Sequence, residues 1–109
     1  MIYDIRISNE ANLDLKSIYE YIAFSLLSPE TAMKQLDRLK TGILSLRQFP
    51  KRFKLYKNML WHNLELRIKP IDNFLVFYVS DDDTQLITIL RVLYQGRNIP
   101  NLLDDSLPD

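Results

Sequence analysis

Apolar residues recur at helical spacing in two stretches of the first half of the chain. The first stretch contains Ala11, Leu15, Ile18 and Ile22, and the second contains Ala32, Leu36, Leu39, Ile43 and Leu46. Spacings of three and four residues put each set on one face of a helix. Because only a short break separates the two stretches, we expect an antiparallel helical hairpin.

Capping residues define where these helices begin and end. Ser8 or Asn9 can accept a hydrogen bond from the first free amides of the first helix. Ser28 and Pro29 form a start signal for the second helix, with a capping hydroxyl before a proline at the first helical position. Pro50 ends that helix because proline has no amide proton.

Strand patterns occupy the beginning and the second half of the chain. They cover residues 2–7, 64–68, 74–79 and 85–93, with turns at 70–73 and 81–83. The run at 74–79 is apolar throughout, which is typical of a central strand buried on both faces. The order β-α-α-β-β-β predicts an α+β domain, in which the helical hairpin packs on one face of a mostly antiparallel four-stranded sheet.

The chain of 109 residues is long enough for a single hydrophobic core. We expect one domain over residues 1–98. Residues 99–109 contain two prolines and several acids, and this composition predicts a loose tail.

The composition excludes several kinds of catalytic site. The chain has no cysteine, one histidine and two glycines. These numbers argue against a zinc site, a Cys/His pair and a glycine-rich phosphate loop, so we expect no metal and no cofactor. His62 is interpreted as a surface residue and Trp61 as a packing anchor. The absence of cysteine and of a long apolar run favours a cytoplasmic protein.

Positive charge is concentrated in one segment although the formal net charge of the chain is zero. Residues 34–69 contain ten basic residues and two acids, a net charge of +8, and the rest of the chain balances them. Such asymmetry is typical of a face that meets a polyanion, but a solvated helix followed by a basic loop would give the same composition.

The centre of the charged segment mixes cations with aromatic rings. Lys51, Arg52, Lys54 and Lys57 alternate with Phe53 and Tyr56. The cations could bind a phosphate backbone while the rings stack on bases. The alternative is a loop whose rings close the core and whose lysines only solvate it, and composition alone does not choose between them.

Arg91 lies inside an apolar strand, where an unpaired charge is expensive to bury. We expect either a structural ion pair, with Glu65 or Asp72 as the partner, or a place on a functional surface.

The order of these elements and several short motifs resemble the RelE/ParE superfamily of bacterial toxins. The similar motifs are the first helix with Ala11, Asp14, Leu15, Ile18 and Tyr21, the segments 28–32 and 46–50, the central hairpin at 66–68 and 73–78, and the closing stretch 89–98, Ile-Leu-Arg-Val-Leu-Tyr-Gln-Gly-Arg-Asn. The closing stretch is the most specific of them.

The resemblance implies a toxin of a type II toxin–antitoxin system, neutralised by a short, acidic and partly disordered antitoxin. It also implies that the basic segment belongs to the face that binds the target. Target-binding residues are then expected at Lys51, Arg52, Lys54, Lys57, Arg67, Arg91 and Arg97.

Two branches of the superfamily differ in target. ParE-like toxins poison DNA gyrase, whereas RelE-like toxins cut mRNA on the ribosome. The chain has Leu75 where mRNA-cutting relatives often have arginine, and no histidine near Tyr94. The sequence therefore slightly favours a gyrase-directed poison. The alternative is a ribosome-dependent endoribonuclease, for which Arg67, Arg91 and Tyr94 are the catalytic candidates.

Overall fold

A helical hairpin and a four-stranded sheet make up the fold of the computed structural model, which describes residues 2–56, 64–97 and 99–104. The strands are β1 (Asp4–Ile7), β2 (Arg67–Ile71), β3 (Phe74–Asp81) and β4 (Leu86–Tyr94), and the helices are α1 (Asn9–Glu20), α2 (Pro29–Leu44) and α3 (Ile99–Asp104). The strand order is β1-β4-β3-β2, with β1 parallel to β4 and the other pairs antiparallel. The predicted α+β class is confirmed, and the sheet is mixed.

The predicted apolar stripes of the two helices face the sheet. Ala11 and Leu15 of α1 and Leu39 and Ile43 of α2 are buried in one core cluster with Val76, Tyr78, Ile87 and Ile89. Ser8 is the N-cap of α1, and its hydroxyl oxygen accepts a hydrogen bond from the amide of Ala11 at 3.1 Å. The apolar contacts that the helical spacing predicted therefore hold the hairpin against the sheet.

The connection between the helices differs from the prediction in two details. A π-helical turn, Tyr21–Ser25, follows α1 directly. Pro29 occupies the first turn of α2 as expected, but Ser28 does not cap the helix backbone. Its hydroxyl instead donates to the hydroxyl oxygen of Thr31 at 2.7 Å.

The strand predicted at residues 64–68 lies three positions later in the structure, as β2. Glu65 adopts a left-handed conformation with φ of 54°, which belongs to a turn and not to a strand. Pro70, predicted in the following turn, lies in β2, where it is tolerated because β2 is an edge strand. The turn consists of Asp72 and Asn73.

The predicted central strand is confirmed by the burial of β3. Val76, Phe77 and Tyr78 are all completely buried. Successive strand residues point to opposite faces of a sheet. Val76 and Tyr78 therefore pack under the helical hairpin, and Phe77 packs in a second cluster on the other face.

The loose tail predicted from residue 99 is wrong over residues 99–104, where the structure has helix α3. Ile99 and Leu103 are buried against Leu66, Phe77 and Leu93 on the sheet face opposite the hairpin. The apolar residues at positions i and i+4 give α3 a side that covers this face. Residues 105–109 lie outside the described residues.

Candidate functional site

The basic segment follows α2 through a tight reversal of the chain. A 3₁₀ turn, Ser45–Arg47, extends α2, and a second one, Pro50–Arg52, carries the first two cations. Between them Phe49 has φ of 52°, a left-handed conformation that is a genuine outlier for a bulky residue. This reversal leaves Lys51, Arg52 and Lys54 exposed.

Two side chains from the sheet fix the backbone of this segment. The Tyr78 hydroxyl donates to the carbonyl oxygen of Pro50, and Arg67 donates to the carbonyl oxygens of Lys51 and Phe53 at 3.2 and 2.7 Å. Arg67 and Tyr78 are register partners on β2 and β3, so both side chains lie on the same face of the sheet. The backbone of the segment is thus attached to the sheet, while the basic side chains point toward solvent.

Burial raises the pKa of Tyr78 to about 12, although Arg67 and Arg52 act in the opposite direction. The hydroxyl therefore keeps its proton well above neutral pH. It remains a hydrogen-bond donor to Pro50 under all physiological conditions.

Lys51 is held at its outer end by an acid from the turn between β3 and β4. Its ammonium group forms an ion pair with Asp82, and the same carboxylate accepts a hydrogen bond from the Tyr3 hydroxyl at 2.9 Å. The hydrogen bonds from Lys51 and Tyr3 lower the pKa of Asp82, and Asp82 raises the pKa of Lys51. Part of the charge predicted for target binding is therefore neutralised within the protein.

Arg52 and Lys69 approach the same aromatic ring. The Arg52 guanidinium carbon lies 5.0 Å and the Lys69 nitrogen 4.5 Å from the centre of the Phe53 ring. Lys69 also donates to the Ser45 hydroxyl oxygen at 2.9 Å. Its pKa is lowered by partial burial and by the charge of Arg52. Within the described parts of the chain, neither cation forms a salt bridge.

Lys69 was missing from the residues predicted for the site. It lies two positions after Arg67 on β2 and so shares its face of the sheet, which is a signal that strand alternation could have supplied. We define the basic surface as Lys51, Arg52, Lys54 and Lys69.

Of the two alternatives expected for Arg91, the structure contains the ion pair, but neither Glu65 nor Asp72 forms it. Asp14 of α1 accepts hydrogen bonds from the Arg91 guanidinium at 2.7 and 2.9 Å, and also from the amide of Val92 at 2.9 Å. Both charged side chains are only 13% exposed. β1 ends before this part of β4, so α1 supplies the partner for the open strand edge.

The partners proposed for Arg91 lie elsewhere. Asp72 pairs with Arg38 at 2.8 Å and accepts a further hydrogen bond from Gln35. Glu65 lies in the turn before β2. The distance of Asp14 from Arg91 along the chain, 77 residues, explains why the sequence did not point to it.

The three residues considered for catalysis are not brought together. Arg67 pairs with Tyr78 and Arg91 with Phe77, two neighbours on β3 that point to opposite faces of the sheet. Tyr94 pairs with Phe74, four residues along β3 from Tyr78, or about 13 Å at the usual rise per strand residue.

The remaining predicted residues are also dispersed. Arg97 is exposed in the turn after β4, where its amide donates to the carbonyl of Tyr94 at 3.1 Å, at the opposite end of β3 from Asp82. Lys57, Trp61 and His62 lie outside the described residues. Among residues 2–56, 64–97 and 99–104, no group of acidic or histidine side chains is arranged to hold a metal ion. None of the helices in those ranges is long and apolar enough to cross a membrane.

Comparisons with known proteins agree with this architecture. Residues 5–99 match the family described as the ParE toxin of the type II toxin–antitoxin system parDE. No curated protein sequence matches the chain.

The solved structures that are similar in fold include three from toxin–antitoxin systems. The first is the chromosomal ParDE toxin–antitoxin system from P. aeruginosa, with a TM-score of 0.70 at 19% identity, covering 85% of this chain and 96% of that one. The RelBE2 complex from Mycobacterium tuberculosis has a TM-score of 0.61 at 19% identity, covering 89% and 95%. The archaeal RelE–RelB complex from Pyrococcus horikoshii OT3 has a TM-score of 0.60 at 20% identity, covering 89% and 99%.

Proposed function

Because the chain belongs to the ParE toxin family of type II toxin–antitoxin systems, we propose that it stops bacterial growth by binding DNA gyrase through the basic surface. In this proposal the protein acts in the cytoplasm by binding alone, without a metal or cofactor. A short acidic antitoxin keeps it inactive until the antitoxin is lost.

The observation that carries the proposal is the way the basic surface is held. Arg67 and Tyr78 bind the carbonyl oxygens of Pro50, Lys51 and Phe53, so the segment is fixed before any target arrives. A preorganised surface loses less conformational entropy on binding than a mobile loop does. Charged side chains on such a surface steer association with a complementary partner.

The separation of the catalytic candidates also favours binding over RNA cleavage. Cleavage requires one group that removes the proton of the ribose 2′-hydroxyl and another that protonates the leaving oxygen, both within hydrogen-bond reach of the substrate. Arg67 and Arg91 lie on opposite faces of the sheet, and each already binds a partner within the protein. This arrangement disfavours RNA cleavage on the ribosome, which is the alternative function.

The experiment separates the two targets by the damage that appears first. The chain is induced briefly in a bacterial host, with a DNA-damage reporter measured beside primer extension on an abundant transcript. We expect the reporter to respond before any cuts appear in the transcript. Prompt cuts at ribosome-occupied codons with a silent reporter would establish the nuclease instead, and growth without arrest would remove both.

The antitoxin is tested by co-expression. The three similar structures include ParDE, RelBE2 and RelE–RelB complexes, which supports a partner of the same kind for this chain. We expect a short acidic protein encoded next to this one to co-purify with it and to restore growth. An adjacent product that neither binds nor protects would contradict the partnership.

A further inference from the structure

A groove opens at the C-terminal end of α2, beside the basic surface. Its volume is about 460 Å³, and its lining residues are Ile2, Leu44, Ser45, Arg47, Gln48, Phe49 and Arg52. Three of them are large apolar side chains that remain in contact with solvent. Ile2 is 55% exposed, Leu44 56% and Phe49 76%. Apolar side chains gathered in a concave surface mark an interaction site more often than scattered ones do.

The charges around this groove have one sign. Arg47 and Arg52 line it, and none of the lining residues is acidic. Arg47 donates to the carbonyl oxygen of Tyr3, and Arg52 lies over the Phe53 ring with Lys69 close to the same ring. These contacts fix the cations without neutralising them. The groove therefore suits an occupant that combines negative charge with apolar groups.

Phe49 combines a left-handed backbone conformation with a side chain that is mostly exposed. Its left-handed backbone favours glycine or asparagine, and its ring gains little from burial because most of it faces solvent. Leu27 has the same features, with φ of 53° and 83% exposure, but it lies between α1 and α2 and does not line the groove. The two positions form a natural pair for an experiment.

We infer that this groove binds a segment of a partner protein in which large apolar side chains are flanked by carboxylates. The aliphatic walls formed by Ile2 and Leu44 can bury such side chains, and Arg47 and Arg52 can pair with the acids. A nucleic acid would supply the negative charge but no aliphatic group for those walls. The inference rests on the proposed function only in identifying the antitoxin as the source of the segment, which would cover Arg52 and thereby mask the basic surface.

The groove's preference is tested with synthetic probes and the purified full chain. Amide chemical shifts are followed while three probes are added separately: the peptide Ac-EDLFDE-NH2, the polar peptide Ac-EDSSDE-NH2, and a short oligothymidylate. We expect the first peptide to shift the amides between Leu44 and Arg52 and to bind at least about tenfold more tightly than the second. Tighter binding of the oligothymidylate at the same amides would overturn the inference and identify a nucleic-acid surface.

The matched variants Phe49→Asn and Leu27→Asn separate binding from folding. Asparagine tolerates the left-handed backbone at both positions, so we expect both variants to unfold at or above the wild-type temperature. Phe49→Asn should weaken the apolar peptide about tenfold or more, and Leu27→Asn should leave its binding unchanged. Equal effects of the two variants, or none, would contradict the inference. Because the assay involves no growth arrest, its failure is distinguishable from failure of the proposed function.

Discussion

Arg67 and Tyr78 face each other across β2 and β3, and both donate hydrogen bonds to the backbone that carries the basic surface. The segment after α2 is therefore attached to the sheet by side chains that use its carbonyl oxygens. This arrangement leaves Lys51, Arg52 and Lys54 free to point away from the core. It links the stability of a central strand directly to the geometry of the proposed binding surface.

Replacing Tyr78 by phenylalanine tests that link. The carbonyl oxygen of the buried Pro50 loses its donor, so we expect the free energy of unfolding to fall by about 1–3 kcal/mol in denaturant titrations. Tyr94→Phe is the matched control. Because Tyr94 is 49% exposed, removing its hydroxyl should lower the free energy of unfolding by less than about 0.5 kcal/mol. Equal stability of the two variants would show that the Tyr78 hydroxyl does not hold the segment.

The same hydroxyl predicts a loss of stability in alkali. The pKa of Tyr78 is raised from 10.0 to about 12 in the fold, so folding favours the protonated form. Its contribution to stability is present below pH 10 and disappears as the pH rises through about 12. Ultraviolet absorbance should show one tyrosine that ionises last, and the Tyr78→Phe variant should lack it. Simultaneous ionisation of all tyrosines in the folded protein would contradict this assignment.

Among the acids of α1, Asp14 is predicted to cause the largest loss of stability when it is replaced by alanine. Asp14→Ala removes the carboxylate that binds Arg91 and the amide of Val92, while the mostly buried guanidinium keeps its hydrogen bond to the carbonyl oxygen of Leu102. Losing one member of a buried pair typically costs about 3–5 kcal/mol. Glu20→Ala, which breaks an exposed pair with Lys16, should cost less than about 1 kcal/mol. Similar losses in thermal unfolding would show that the Asp14 pair contributes little.

The ion pair between Lys51 and Asp82 predicts that the stability of the fold falls at acid pH. The pKa of Asp82 is lowered in the fold, so its contribution to stability is present above the ordinary carboxylate range and is lost as the pH falls through the lowered pKa. Lys51→Met should raise the pKa of Asp82 in a carbon NMR titration, whereas Lys54→Met should not move it. The Lys51 ion pair is refuted if the Asp82 titration is the same in both variants.

Much of this fold could be predicted because local periodicity and burial agree. The stripes of α1 and α2 have helical spacing, and residues 74–79 of β3 form an unbroken apolar run whose middle residues, Val76, Phe77 and Tyr78, are buried. The features that escaped prediction depend on distant parts of the chain. Arg91 meets Asp14 because β1 is too short to cover the edge of β4, and no local pattern encodes that length.

The candidate site was predicted in part for the same reason. The concentration of cations in residues 49–57 was visible in the composition, and the structure exposes Lys51, Arg52 and Lys54. The pairing of Lys51 with Asp82 and the approach of Lys69 to Phe53 depend on how the turn after β3 and the edge strand β2 pack against this segment. Tertiary packing, and not the local sequence, decides which of these charges are available to a partner.

Matched charge variants show whether growth arrest depends on the basic surface. Arg52→Gln with Lys54→Gln removes two exposed charges from the basic surface, and Lys34→Gln with Lys40→Gln removes two from the exposed side of α2. Surface charges contribute little to stability, so both proteins should fold, which circular dichroism checks. We expect that induction of the first variant no longer stops growth, while the second arrests cells as the wild type does. A folded first variant that arrests growth as strongly as the wild type would contradict the proposed role of the basic surface.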